Sequence, residues 1–308
     1  MFGAKKSVIV ISKTHIKAII VKTGARPKEV RSITYAWSRE NIINVLQAVK
    51  KITGKTVRIL LHDDLVYETS IAVPLQSKLE RDDIQRLAQE QIPENLNQTA
   101  WDYKEMLILP VKQEKMLQIV AVINRFYQQL NAVFAKLSFT VESAEPLSYA
   151  IARLLEHDKR PLLVLHTSDT MLLLSVYKGL VVATQAQNMT FSQTDIAKFL
   201  QFLKSRFAIA PKKIVVSATG QMAPSVQFNK IGLALEVRQL SGAVSTSLKQ
   251  DIVGEDSQTL NLAAFFNQQA TQISSPRKRN MPLLTFILVL IIGISLFIAA
   301  LALRLFLK

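Results

Sequence analysis

Residues 162–185 read LLVLHTSDTMLLLSVYKGLVVATQ. Apolar runs at 162–166, 171–177 and 180–185 are separated by a short polar turn and by Lys178-Gly179, which predicts a three-strand meander. Downstream, Ser192-x-x-Asp195 has the form of a capping box, and Ile196, Leu200, Leu203 and Phe207 follow at helical spacing. A buried-strand run at 214–218 completes the unit. The same order occurs earlier. Strand-like runs at 7–11, 16–22 and 30–37 precede a helix with Ser38 as N-cap and Ile42, Ile43, Leu46 and Val49 on one face; a strand at 57–61 follows. Corresponding elements stay close to 155 residues apart. This predicts a duplicated α/β fold, one lobe over 1–155 and a second over 156–270.

Between the two copies lies an insertion over about 62–145. It starts with a strand at 66–73 ending at Pro74. An amphipathic helix follows, carrying Leu79, Ile84, Leu87, Ala88 and Ile92 and stopped by Pro93. Strands at 101–109 and 116–123 precede a helix with Phe126, Leu130, Val133, Phe134 and Leu137 on one stripe. Such an insertion is a natural partner surface. Asp63-Asp64 reads as a turn pair and Asp82-Asp83 as the acidic first turn of a helix, neither with a supporting nucleophile or base. His166 reads as a turn residue.

After 254 the composition shifts to Gln, Asn, Ser and Thr; 260–269 is expected to form a last helix packing back on the domain. Residues 271–281 read as a basic juxtamembrane linker, and 282–303 hold 22 residues without a charge. At ~1.5 Å per residue that run spans ~33 Å, the thickness of a bilayer core, so a C-terminal transmembrane helix is expected. Arg277, Lys278 and Arg279 precede it; Arg304 and the short tail 304–308 follow. This asymmetry predicts a single-pass protein of the inner (cytoplasmic) membrane with its N-terminal domain in the cytoplasm. Gly293, Ser295 and Ala299 offer small residues for helix pairing, and so for a helix-mediated oligomer.

The composition excludes several classes of function. The 308 residues are 49% hydrophobic, enough for a packed core. With no cysteine there is no disulfide framework, thiolate metal site or Cys nucleophile. His15, His62, His157 and His166 are scattered without ligand spacing, so no metal site is expected. The net charge of +15 is spread over Lys5-Lys6, Lys50-Lys51, Lys212-Lys213 and 277–279, without the aromatic interleaving of a nucleic-acid stripe. Solvated faces, or attraction to anionic lipid headgroups, fit it better.

Several motifs resemble those of the PilM family of actin-like pilus assembly proteins, with kinship to the cytoplasmic part of the type II secretion L subunit. They are Val66-Tyr67-Glu68 through Val73-Pro74, the helix after Leu79, Ile92-Pro93, and Trp101-Asp102-Tyr103. Ile16-Lys17-Ala18, Val141-Glu142, Pro146-Leu147 with Ala150, and the helix from Ile196 are similar too. The resemblance implies an actin-like (ribonuclease H-like) two-lobe fold, ATP between the lobes in many members, and docking of a membrane partner's cytoplasmic peptide. Its implied setting is the inner-membrane platform of type IV pili.

The phosphate turns depart from that pattern. An actin-like cleft needs an Asp for Mg²⁺ and a Gly for close phosphate approach in the first turn of each lobe. Here the first turn is Ser12-Lys13-Thr14-His15, and the second is Thr167-Ser168-Asp169-Thr170. The paired glycines expected after the strand at 214–218 are replaced by Thr219-Gly220. A degenerate cleft follows, with no catalytic residue, no metal and no cofactor, ATP/Mg being the alternative. The expected function is a membrane-anchored scaffold recruiting platform or motor proteins of a type IV pilus or related secretion system. The alternative is an ATP-binding switch whose nucleotide state gates partner binding.

Overall fold

The computed structural model describes residues 4–23, 28–109, 113–167, 171–187, 191–218, 232–237 and 260–267. Strands β1 (Lys5–Ile11) and β2 (His15–Lys22) pair antiparallel, from Lys5 opposite Lys22 to Ile11 opposite Ile16. β3 (Lys28–Ala36) adds to the outside of β2. Helix α1 (Ile42–Thr53) then carries the chain across to β4 (Thr56–Leu61), which lies parallel to β1. β8 (Thr140–Pro146) lies parallel to β4, completing the order β3-β2-β1-β4-β8. The helix begins at Ile42, later than a Ser38 cap would give. Asn41 holds the N-cap position, and its side chain turns back to accept the Ser38 amide at 2.7 Å.

Lobe II repeats this plan. β9 (Leu162–Thr167), β10 (Met171–Tyr177) and β11 (Leu180–Gln187) form the meander; α5 (Gln193–Phe207) crosses to β12 (Lys213–Ala218), and β13 (Ala234–Val237) lies beyond it. The strand order is β11-β10-β9-β12-β13. The expected capping box is present, Ser192 accepting from the Asp195 amide and Asp195 from the Ser192 amide. Lys178 and Gly179 both have positive φ (51° and 75°), as a type I′ hairpin turn requires.

Strand alternation divides the core. Leu163, Leu165, Leu173 and Val182 face α5, whereas Val164, Leu172, Leu174 and Val181 face the other way. That second face joins the lobe I core through α4 (Leu147–Leu154), whose Ala150, Ile151 and Ala152 are buried between the sheets. Each buried Leu or Ile side chain contributes roughly 1.5–3 kcal/mol, so the lobes share one apolar body.

The insertion forms its own three-stranded antiparallel sheet, β5 (Val66–Pro74), β7 (Glu114–Val122) and β6 (Trp101–Leu109), in that order. Helix α2 (Arg81–Gln89) covers it, ending before Pro93 rather than at it. Helix α3 (Asn124–Lys136) buries Leu130 and Phe134 in the lobe I core and serves as the crossover to β8. The expected returning helix is α6 (Ala263–Asn267), with Ala263 and Phe266 buried. The Leu262 amide donates to Ala144 O at 2.8 Å, and Asn267 both accepts from and donates to the Val141 backbone. Among the described residues no helix is long and apolar enough to cross a membrane. The run 282–303, with Gly293, Ser295 and Ala299, lies outside the described residues, as do Arg277, Lys278, Arg279 and Arg304.

Candidate functional site

The turn joining β1 to β2 is closed on itself. The Ser12 amide donates to His15 O at 2.9 Å. Ser12 Oγ accepts the amides of Thr14 at 3.4 Å and His15 at 3.0 Å. The Lys13 amide faces Asp64 Oδ2 at 3.5 Å, and the Trp37 indole donates to Ser12 O at 2.8 Å. A phosphate cradle needs backbone N–H groups converging on an empty concavity. In this turn those amides are directed inward, and a buried carboxylate stands beside them.

Lys13 opens onto a cleft of about 950 Å³ where lobe I, the insertion and lobe II meet. Asp63 and Asp64 line one side, Tyr67 and Glu68 of β5 another, and Thr184 and Gln187 of β11 the lobe II side; Arg125 of α3 adds a second cation. Asp63 and Asp64 form a short 3₁₀ turn after β4, buried rather than solvated, capped by His62, whose Nδ1 accepts from the Asp64 amide.

Glu68 is the hub of this junction. It is half-buried, but its carboxyl end is fully engaged. Ser148 Oγ at the start of α4 donates to Oε1 at 3.1 Å; Thr184 Oγ1 of β11 donates to Oε2 at 3.0 Å; Gln118 Nε2 of β7 reaches Oε2 at 3.5 Å. Asp63 Oδ2 accepts the Ser148 amide at 3.2 Å. Burial, reinforced by the charge of Asp63, holds Glu68 well above the usual carboxylate range, and a hydrogen bond between the two acids favours keeping its proton. Burial also raises Asp63, with His62 pulling the other way.

His166 sits within β9 and is buried, paired with Leu172 and Ser217, not in the turn where its sequence suggested. Burial, followed by repulsion from His62, lowers it to about 4. It is neutral at physiological pH and is not exposed as a base. Among the described residues no group of three or more His, Asp or Glu side chains could hold a metal ion.

Ser12, Lys13 and Thr14 thus share one turn at the cleft. Thr167 closes β9 opposite Met171 and Ala218; its side chain lies outside the described residues, as do Ser168, Asp169, Thr219 and Gly220. Glu68 belongs to the Val66-Tyr67-Glu68 motif, but neither it nor Ser148 nor Thr184 is marked by the sequence as a site residue. They lie 80 and 116 positions apart along it, and only the fold brings them together.

No protein-family model and no curated protein matches this chain by sequence. Solved structures do match by shape. A PilM–PilN type IV pilus biogenesis complex aligns with a TM-score of 0.61 at 12% identity, over 77% of this chain and 89% of that one. The cytoplasmic domain of EpsL, an inner membrane component of the type II secretion system of Vibrio cholerae, aligns at 0.50 and 11%, over 80% and 95%. A Bacteroides thetaiotaomicron protein with an actin-like ATPase fold aligns at 0.54 and 11%, over the same shares. The chain has the actin-like fold, and both likenesses expected from its motifs are present at that level.

Proposed function

We propose that this chain is a membrane-anchored scaffold of a type IV pilus or related secretion platform, with an actin-like body that docks partners rather than turning over nucleotide. The single observation carrying the non-catalytic part is the self-closed turn, where Ser12 Oγ accepts the Thr14 and His15 amides and Asp64 faces Lys13. Filling that turn with phosphate requires breaking those bonds and bringing an anion beside a buried carboxylate. The fold shared with PilM and with the EpsL cytoplasmic domain supports the setting. The uncharged run 282–303 supports an anchor.

On this reading the insertion and the cleft rim receive platform or motor proteins, and the shared core keeps the lobes at one spacing. Titration of the full chain in detergent with Mg-ATP tests it. Binding tighter than about 100 µM, equivalent to ~5.5 kcal/mol, overturns it in favour of a nucleotide switch. The observation favouring that second reading is the cleft itself, large enough for a nucleotide and bordered by Lys13 and Arg125. Crosslinking in native membranes identifies the partners; recovery of pilus or secretion platform proteins is the expected result.

A further inference from the structure

Basic pairs that are far apart in the sequence converge in the fold. Lys5 and Lys6 begin β1, and Lys22 ends β2 directly opposite Lys5. Lys51 lies in the last turn of α1, and Lys55 in the turn to β4. Lys5, Lys6 and Lys55 line one pocket of about 280 Å³ with Ser7, Thr53, Thr56 and the acid Glu142. Lys136 joins them in the last turn of α3, because the Thr140 amide just beyond it donates to Lys55 O at 2.9 Å. Lys5, Lys22, Lys51, Lys55 and Lys136 are all exposed. Two acids stand nearby. Glu142 is engaged by the buried Arg58 at 3.0 Å, and Glu29 pairs across from Val21 on β3.

Lysines at helix C-termini are ordinary complements to the helix dipole. Lys50 is of that structural kind, its ammonium bonded to Leu137 O and lying over Phe139. Lys5, Lys6 and Lys55 belong to strands and a turn, where no dipole calls for them. A second observation points to the same end. Asn267, the last described residue, is clamped to Val141, next to the Thr140 that bonds Lys55. The last described residue therefore stands at the lysine-rich end, and in sequence only 268–281 separate it from the uncharged run. That link reaches at most about 50 Å when fully extended.

We infer that the lysine-rich end of lobe I is a docking face for an anionic lipid leaflet. This rests on the reading of 282–303 as an anchor. Each lysine near an anionic surface is worth about fivefold in partitioning, so losing Lys51 and Lys55 weakens docking about thirtyfold.

The chain has no cysteine, so single probes can be placed cleanly. A fluorophore on Thr56→Cys reports the lysine end; one on Thr14→Cys reports the opposite end of the β1–β2 hairpin, about 20 Å away. The full chain is reconstituted in vesicles carrying a headgroup-linked quencher, either neutral or containing phosphatidylglycerol. Expected is strong quenching at Thr56 in anionic vesicles only, lost with Lys51→Gln plus Lys55→Gln and kept with Lys198→Gln plus Lys204→Gln on α5, with Thr14 unquenched throughout. Equal quenching at both probes, quenching indifferent to lipid charge, or shielding of Thr56 by duplex DNA but not by vesicles overturns the assignment. Flotation with neutral vesicles reads the anchor separately. A chain that does not float there, yet is quenched at Thr56 by anionic lipid, loses the anchor and keeps the face.

Discussion

The Thr184 hydroxyl of β11 donates to Glu68 Oε2 of β5 at 3.0 Å, tying lobe II to the inserted sheet through one side-chain contact. Ser148 at the head of α4 holds the other oxygen of the same carboxyl. Thr184→Val removes the donor and keeps the shape. It is expected to cost about 1 kcal/mol, read from the denaturant midpoint, and to speed amide exchange in β11 ahead of global unfolding.

Glu68 retains its proton in the folded chain to a higher pH than in the unfolded one. Between those two values the native state binds more protons, so its stability falls as pH rises. Glu68→Gln cannot ionise and keeps both an acceptor and a donor there. The substitution is expected to gain stability relative to the parent at about pH 8 and to lose that advantage near pH 4. A parallel pH dependence in both proteins would refute the retention of a proton on Glu68.

His166 acts with the opposite sign. Its value falls from 6.5 to about 4, so between those limits the unfolded chain takes up a proton that the native state refuses. The stabilisation it gives is complete above the upper limit and is lost as pH falls through the window, by about 3 kcal/mol at most. His166→Asn should flatten the acid limb of a midpoint-against-pH curve. Measured beside Glu68→Gln, it separates two terms that oppose one another in the intact protein.

Gly179 closes the β10–β11 hairpin at φ 75°, against the end of α4. A Cβ built there stands 2.8 Å from Glu156 Cβ and 3.2 Å from its Cα. Gly179→Ala carries about 1–2 kcal/mol of left-handed backbone strain and a backbone clash besides. A lowered melting temperature checks it, and Lys178→Gly, which relieves positive φ at the neighbouring position, should move it the other way.

The doubled strand order was legible because its signals are local: period-two burial, a turn pair of positive φ and a capping box all sit within a few residues. β8 and α4 were harder to read. The segment TVESAEP is polar in letters yet buried at its end, where Arg153 supplies the partner of the buried Glu145. α4 follows Pro146 with no side-chain cap to announce it. Ser38 looked like a cap because Ser and Asn serve equally well there, and three positions further on Asn41 takes that place. At the site, Ser12 to Thr14 could be found by position alone. Glu68 could not, since a lone Glu on an alternating strand looks like any solvent-facing residue until its distant partners are known.

The inserted sheet departs from lobe I after Leu65 and rejoins it at Ile123, and the Ile123 amide donates to Leu65 O at 2.9 Å. Its two ends are thus joined at the root by this bond and, next to it, by the pairing of Val66 with Val122. A module seated this way can be exchanged, enlarged or trimmed without re-threading the sheet that carries it. Evolution, or a protein engineer, can therefore vary the inserted sheet while leaving the strands that mount it in place.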